Sequence, residues 1–308
     1  MKICTKIAAM NPDKFAEAIA SAQYKMEIYT NNEVEKLQIA KDYGNAVRLA
    51  KKSGFDAVEI HAGHGYLISQ FLSPYTNHRK DEFGGSLENR MKFMEMAIKE
   101  CMEAAGNDIA VMVKINTRDG FKGGMEVDEC IEVAKKLEQL GVHCLVLSGG
   151  FVSRAPMYVM RGAMPMRALA GYMPWKDLWW LRIGVSLFGK LLIKDQPYKE
   201  AFFYEDALKF RAAVKMPLAL VGGLHSRKTI DMALNSGFEF VEMARPLVHD
   251  TDFVNKLRDG IVEESGCRHA NYCVARIYNI DMQCHEHCKV AKSIQKELDR
   301  NIKRWEKQ

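Results

Sequence analysis

His61 and His64 stand three residues apart just beyond the β-branched run Ala57-Val58-Glu59-Ile60-His61, with Tyr66 two positions further on. Two imidazoles at that spacing could face one small anion or carbonyl oxygen. They could equally ligate a metal with Glu59 as third ligand, or be an ordinary structural pair. A second constellation is Gly222-Gly223 at the end of one apolar run and Arg245 at the end of the next. Glycine backbone admits a close phosphate, a following helix N-terminus adds positive potential, and arginine supplies a charged fork. A tight turn beside a surface arginine gives the same pattern. A third is Cys267, Cys273, Cys284 and Cys288 interspersed with His269, His285 and His287. Free thiols are the default reading there, and no metal ligand is assigned.

The elements that must position these residues alternate. Glu33 to Lys52 carries Leu37, Tyr43, Ala46, Val47 and Ala50 at helical spacing, then Gly54 and the strand ending at His61. Ser86 opens a helix through Met91, Met94 and Ile98 to Gly106, followed by a strand from Ile109 to Ile115. A helix from about Val127 to Leu140 precedes the run from Cys144 to Gly150. A helix near Ala207 to Val214 precedes Leu218 to Gly223, and one from Lys228 to Asn235 precedes Phe240 to Ala244. Apolar strands separated by helices predict a parallel sheet covered by helices. Five strands suffice for an open doubly wound sheet, whereas a closed barrel needs eight, so counting alone favours the open form. In either, chemistry belongs at the C-terminal strand ends, here Glu59 to Tyr66, Lys114-Ile115-Asn116, Ser148-Gly149-Gly150, Gly222-Gly223 and Ala244-Arg245.

The net charge of +5 over 308 residues is spread along helices, which argues against nucleic acid as a partner. Cys4, Cys101, Cys130 and Cys144 read as small buried hydrophobes in a reducing compartment. No secretory signal pattern opens the chain, so a cytoplasmic protein is expected. The apolar stretch Leu178 to Ile193 is interrupted by Arg182 and Lys190 and is too short to span a bilayer, so no membrane partner is expected.

The stretch from Gly54 through His61-Ala62-Gly63-His64-Gly65-Tyr66-Leu67, Gln70-Phe71-Leu72-Ser73-Pro74 and Asn77-His78-Arg79 to Asp81-Glu82-Phe83-Gly84-Gly85-Ser86-Leu87-Glu88-Asn89-Arg90 resembles the signature segment of Old Yellow Enzyme-type flavin oxidoreductases. The resemblance runs from about Glu33 to Leu257. It implies an α/β fold of the TIM (β/α)8 type, incomplete here, with the last five βα units present and the first three missing. It implies FMN, NADH or NADPH as reductant, and an activated alkene, an enone or enoyl thioester, as the small-molecule substrate. By resemblance His61 and His64 hydrogen-bond the substrate carbonyl and Tyr66 delivers a proton. Lys114 lies against the pyrimidine edge of the flavin, and Gly222, Gly223 and Arg245 hold its phosphate. Ser148, Gly149 and Ala244 complete the cofactor set, Ala244 standing where many members have glycine. In the branch that carries an iron–sulfur cluster, a cysteine pair opens the C-terminal region, and the partner position here is Ala270.

Three regions are expected: a short segment 1–32, a partial FMN-binding barrel 33–260 with a long insertion at 151–216, and a helical Cys/His tail 261–308. The insertion holds Trp175, Trp179 and Trp180 and reads as a lid, as a surface helix pair with buried tryptophans, or as an interfacial membrane helix. A truncated or split enzyme, impaired in catalysis, is the alternative reading. Homo-oligomerisation or a missing N-terminal segment is the expected remedy for bare sheet edges.

Overall fold

The computed structural model describes residues 33–172, 179–277 and 281–306. In chain order these form helix α1 (Glu33–Lys52), strand β1 (Ala57–His61), α2 (Leu87–Ala105), β2 (Ala110–Asn116), α3 (Val127–Gln139) and β3 (Cys144–Ser148). Then come α4 (Trp179–Leu192), α5 (Tyr204–Ala213), β4 (Leu218–Val221), α6 (Arg227–Asn235), β5 (Phe240–Glu242) and α7 (Lys292–Trp305), with shorter helices between. Among the described residues the sheet has five strands, in the order β1-β2-β3-β4-β5. β1 pairs with β2 and β4 with β5 in parallel. β3 is buried along its whole length, as an interior strand of a helix-covered parallel sheet must be. The chain divides into two compact units, Met1–Val146 with Lys209–Leu218, and Leu147–Leu208 with Ala219–Gln308.

In the first unit α2 begins where its cap requires, with Ser86 Oγ accepting from the Asn89 N–H at 3.3 Å. Its apolar face, Phe93, Met94, Ala97, Ile98 and Cys101, is fully buried. α1 packs on α2 through a face that carries Val47 of the apolar set but not Leu37. Leu37 is half exposed, and the buried stripe is Lys36, Ala40 and Val47. Gly44 decides this, because a Cβ there would lie 2.9 Å from the Glu100 carbonyl oxygen, so the helices touch at backbone distance. Lys36 tolerates burial because its ammonium sits 3.8 Å above the Phe83 ring and 3.7 Å from Asp81.

In the second unit the insertion and the C-terminal helix share one core, built from Met157, Met164, Met166, Leu169, Tyr272, Leu298 and Ile302. Glu297 fastens them: its carboxylate accepts the backbone N–H groups of Met166 and Arg167, each at 3.0 Å, at the start of the helix Met166–Tyr172. Trp179 and Trp180 are 68% and 58% exposed, so burial of the insertion's tryptophans does not hold for these two, and Trp175 lies outside the described residues. α4 also leaves Ile183, Leu187, Phe188 and Leu191 exposed. No helix among the described residues is long and apolar enough to cross a membrane. Cys101, Cys130 and Cys144 are buried free thiols, while Cys4 lies outside the described residues.

Candidate functional site

The register of the first two strands assembles the first constellation. His61 pairs with Lys114 across β1 and β2, and side-chain alternation puts Glu59 on the same face, where Lys114 Nζ reaches Glu59 Oε1 at 2.8 Å. The His61 and His64 rings meet edge to face with centroids 4.8 Å apart, and Tyr66 lies 5.0 Å from His61. Burial and the Lys114 ammonium push the imidazoles down, His61 to about 4 and His64, with His61 beside it, to about 3. Both are therefore neutral near pH 7. His61 Nδ1 accepts from the Gly63 N–H at 3.4 Å, which leaves the proton on Nε2 and makes that nitrogen the ring's donor. A metal between His61, His64 and Glu59 would have to displace the Lys114 ammonium from its carboxylate, so the arrangement favours an oxygen acceptor over a cation.

His64 sits in the left-handed region at φ 59°, a conformation that needs outside support. The support is Asn116, whose Oδ1 accepts the His64 N–H at 3.0 Å and whose Nδ2 donates to Asp119 Oδ1 at 2.9 Å. Asp119 Oδ2 in turn accepts from Ser73 Oγ at 2.7 Å and the Met125 N–H at 2.8 Å. Asn116, Asp119 and Ser73 are buried, so this is a fully satisfied polar chain behind the histidines. Gly63 is part of the fit, since a Cβ there would lie 2.7 Å from Asn116 Oδ1. Much of the remaining signature segment serves the scaffold. Asn77 Nδ2 donates to the Phe71 and Phe83 carbonyls at 2.7 and 2.8 Å, and buried Arg90 bonds the Leu72 carbonyl and Glu129.

The second constellation lies in the other unit. Gly222 and Gly223 have φ of +119° and +79°, and a Cβ at either would meet Phe203 at 2.7 Å or Phe202 at 2.9 Å. Aromatic rings thus fill the space a side chain would take, and only backbone is left to meet a ligand. Tyr198 Oη donates to the Gly223 carbonyl at 3.2 Å, and the Arg245 guanidinium stands 5.7 Å over the Tyr198 ring. Arg245 Nη1 donates to Asn271 Oδ1 at 2.7 Å, while Asn271 Nδ2 donates to the Arg161 carbonyl at 2.7 Å, so buried Asn271 sets the direction of the arginine. Arg161 lies over Tyr158 and Phe202 at 4.3 and 5.0 Å, and its buried Nε has no hydrogen-bond partner among the described residues. Burial also lowers its pKa. Ser148 and Gly149 are buried at the end of β3, and Ala244 is exposed immediately before Arg245.

Sequence reasoning missed Asp119, Asn271 and Arg161 and gave Asn116 no role. Asn116 and Asp119 follow a strand end three residues apart, a legible signal. Nothing in the sequence ties Asn271 to Arg245, 26 positions earlier.

The sequence model of the NADH:flavin oxidoreductase / NADH oxidase family matches residues 4–168. The chain is similar to a 4,4'-dithiodibutanoate disulfide reductase of Rhodococcus erythropolis, 37% identical over 241 residues, which are 78% of this chain and 59% of the relative. A solved 2-naphthoyl-CoA reductase complex superposes with a TM-score of 0.63 at 24% identity, over 86% of this chain and 35% of that one, and shows the fold. An Old Yellow Enzyme homologue from Zymomonas mobilis does so with a TM-score of 0.53 at 25% identity, over 76% of this chain and 55% of that one. The chain thus spans three fifths or less of the proteins it matches. With a parallel βα sheet, the strand-end histidines and a family match over more than half its length, this chain belongs to the NADH:flavin oxidoreductase / NADH oxidase family.

Proposed function

We propose that this chain acts as an FMN-dependent NAD(P)H oxidoreductase of the Old Yellow Enzyme type, reducing an activated alkene such as an enone or enoyl thioester. The observation that carries the reading is the pair of half-buried, neutral imidazoles at one strand end. The residues suit the cofactor on the chemistry of their donors. Arg245, aimed by Asn271, the side-chain-free backbone at Gly222 and Gly223, and the buried Nε of Arg161, unpartnered among the described residues, suit a phosphate. Lys114 offers a cation to a ring that gains negative charge on reduction. Ser148, Gly149 and Ala244 belong to the same assigned set.

FMN, when bound, supplies the hydride that it has received from the nicotinamide. The rest falls to the protein. His61 Nε2–H and the His64 ring donate to the substrate carbonyl oxygen and stabilise the negative charge that grows there as the β-carbon is reduced. Neutral donors are the right choice, because they hold the oxygen without protonating it. Tyr66, 43% exposed, holds at its phenol oxygen the proton destined for the α-carbon. The Asn116–Asp119 chain fixes the backbone of His64, so the donors are set before substrate arrives.

The experiment separates the two half-reactions in the FMN-loaded protein by anaerobic stopped flow, with NADH and NADPH as reductants and a cyclic enone as oxidant. His61→Ala and His64→Ala should each slow reoxidation by the enone by roughly 10²–10³-fold, the usual loss for one oxyanion donor, and leave reduction by nicotinamide nearly unchanged. Equal loss in both halves overturns the assignment. A second reading, disulfide reduction, is favoured by the Rhodococcus relative. Faster reoxidation by 4,4'-dithiodibutanoate than by the enone, insensitive to both histidine variants, would select it.

A further inference from the structure

The C-terminal thiols acquire a partner that the sequence does not suggest. His249 ends a short helix after β5, 35 positions before Cys284, yet its Nδ1 lies 3.5 Å from Cys284 Sγ. His287 completes the group: one ligand atom from each of His249, Cys284 and His287 lies within 4.8 Å of the other two. From these contacts we propose that His249, Cys284 and His287 bind a single soft divalent cation, zinc by chemistry, in a site that shares no ligand with the flavin set.

The dimensions agree with that ion. Tetrahedral zinc with bonds of about 2.3 Å to sulfur and about 2.0 Å to nitrogen sets N···S edges of about 3.6 Å. The His249–Cys284 edge already has that length, and closing the remaining separation asks roughly one ångström of movement from exposed His287. The ring orientations are also preset. A Cβ on Gly266 would lie 2.6 Å from His249 Nε2, so that edge of the ring rests on glycine backbone and Nδ1 faces the thiol. His287 Nε2 donates to the His249 carbonyl at 2.8 Å, and a ring that donates from one nitrogen keeps a lone pair on the other for a metal. Glu286 Oε2, 3.6 Å from His249 Nδ1, stands within reach of the fourth position. A neighbouring cavity of about 20 Å³, lined by His249, Cys284, Cys267, Cys273 and Arg245, has room for one water-sized group. Cys267 and Cys273 are not needed as ligands. The ion would clamp the segment after β5 to the turn before α7, a structural role.

The test uses the full chain without a polyhistidine tag, stripped with chelator and titrated with Co²⁺ or Zn²⁺ alone. One equivalent of Co²⁺ should produce the absorption of tetrahedral, thiolate-ligated cobalt. Cys284→Ser and the double variant His249→Ala/His287→Ala should each weaken binding by roughly 100-fold or more, a direct ligand costing at least what an outer-shell partner costs. His287→Ala alone checks for misfolding, because that side chain is exposed and its loss should lower metal affinity without altering the metal-free thermal transition. Cys267→Ser/Cys273→Ser should leave the cobalt spectrum unchanged, and Zn²⁺ should raise the unfolding temperature of the parent and of that variant but not of Cys284→Ser or His249→Ala/His287→Ala. Three outcomes overturn the proposal: no binding, binding lost in Cys267→Ser/Cys273→Ser, or protein isolated with iron and acid-labile sulfide in place of a single ion.

Discussion

The backbone N–H of His64 donates to Asn116 Oδ1 at 3.0 Å, across 52 residues of sequence and from the end of one strand to the end of its neighbour. This bond holds a left-handed histidine in place, and Asp119 anchors the asparagine from behind. Asn116→Ala should therefore cost about 1–3 kcal/mol, the range for stranding buried hydrogen-bonding groups. In the FMN-loaded protein it should also slow enone reduction more than flavin reduction. Denaturant unfolding together with the two half-reactions checks both, and an unchanged midpoint would remove the role assigned to the chain.

Stability and reactivity should both report the neutral imidazoles. Folding lowers the His61 and His64 pKa to about 4 and about 3, so between pH 6.5 and those values the unfolded chain binds protons that the native state does not. The contribution is fully present above about pH 6.5 and is lost as pH falls through the folded values, with a slope of at most about 1.4 kcal/mol per pH unit per histidine. His61→Asn/His64→Asn should flatten the stability curve in that window. In the FMN-loaded parent, enone reduction should not show a histidine inflection between pH 5 and 8. An inflection near 6.5 that vanishes in the double variant would mean that the rings are ordinary, solvated imidazoles.

Arg245→Ala should lower FMN affinity roughly tenfold or more, from about 1.5–3 kcal/mol for a charged hydrogen bond. Arg245→Lys should recover only part of this, because an ammonium cannot both bond Asn271 and present a fork. Fluorescence titration of FMN measures it, and wild-type affinity in Arg245→Ala would move the phosphate elsewhere.

Gly222→Ala and Gly223→Ala should each destabilise the fold by about 1–3 kcal/mol, because a β-carbon there is strained at positive φ and meets an aromatic ring below 3 Å. If thermal unfolding shows no loss, the rings of Phe202 and Phe203 move easily and the strand end is looser than its packing suggests.

Tyr66→Phe should leave stability within about 0.5 kcal/mol, since the ring is half exposed. Solvent-derived deuterium at the product α-carbon should then appear more slowly or with lost facial selectivity. Unchanged rate and selectivity would assign the proton to another donor.

The sequence by itself determined the order and type of the elements. The strand Ala57–His61 and the helix Glu33–Lys52 lie where apolar period, glycine stops and β-branched runs place them, because those signals act over one or two turns of chain. It also placed His61, His64, Tyr66 and Lys114 at strand ends, since alternation and strand length are local quantities. Tertiary structure alone decided that Leu37 stays half exposed while Lys36 is buried, because α1 meets α2 where Gly44 lets the backbone approach Glu100. It alone joined Asn116 to His64, Asn271 to Arg245 and His249 to Cys284. Those partners are 26 to 52 residues apart, and what brings them together is strand register and the packing of whole elements, which no local pattern encodes.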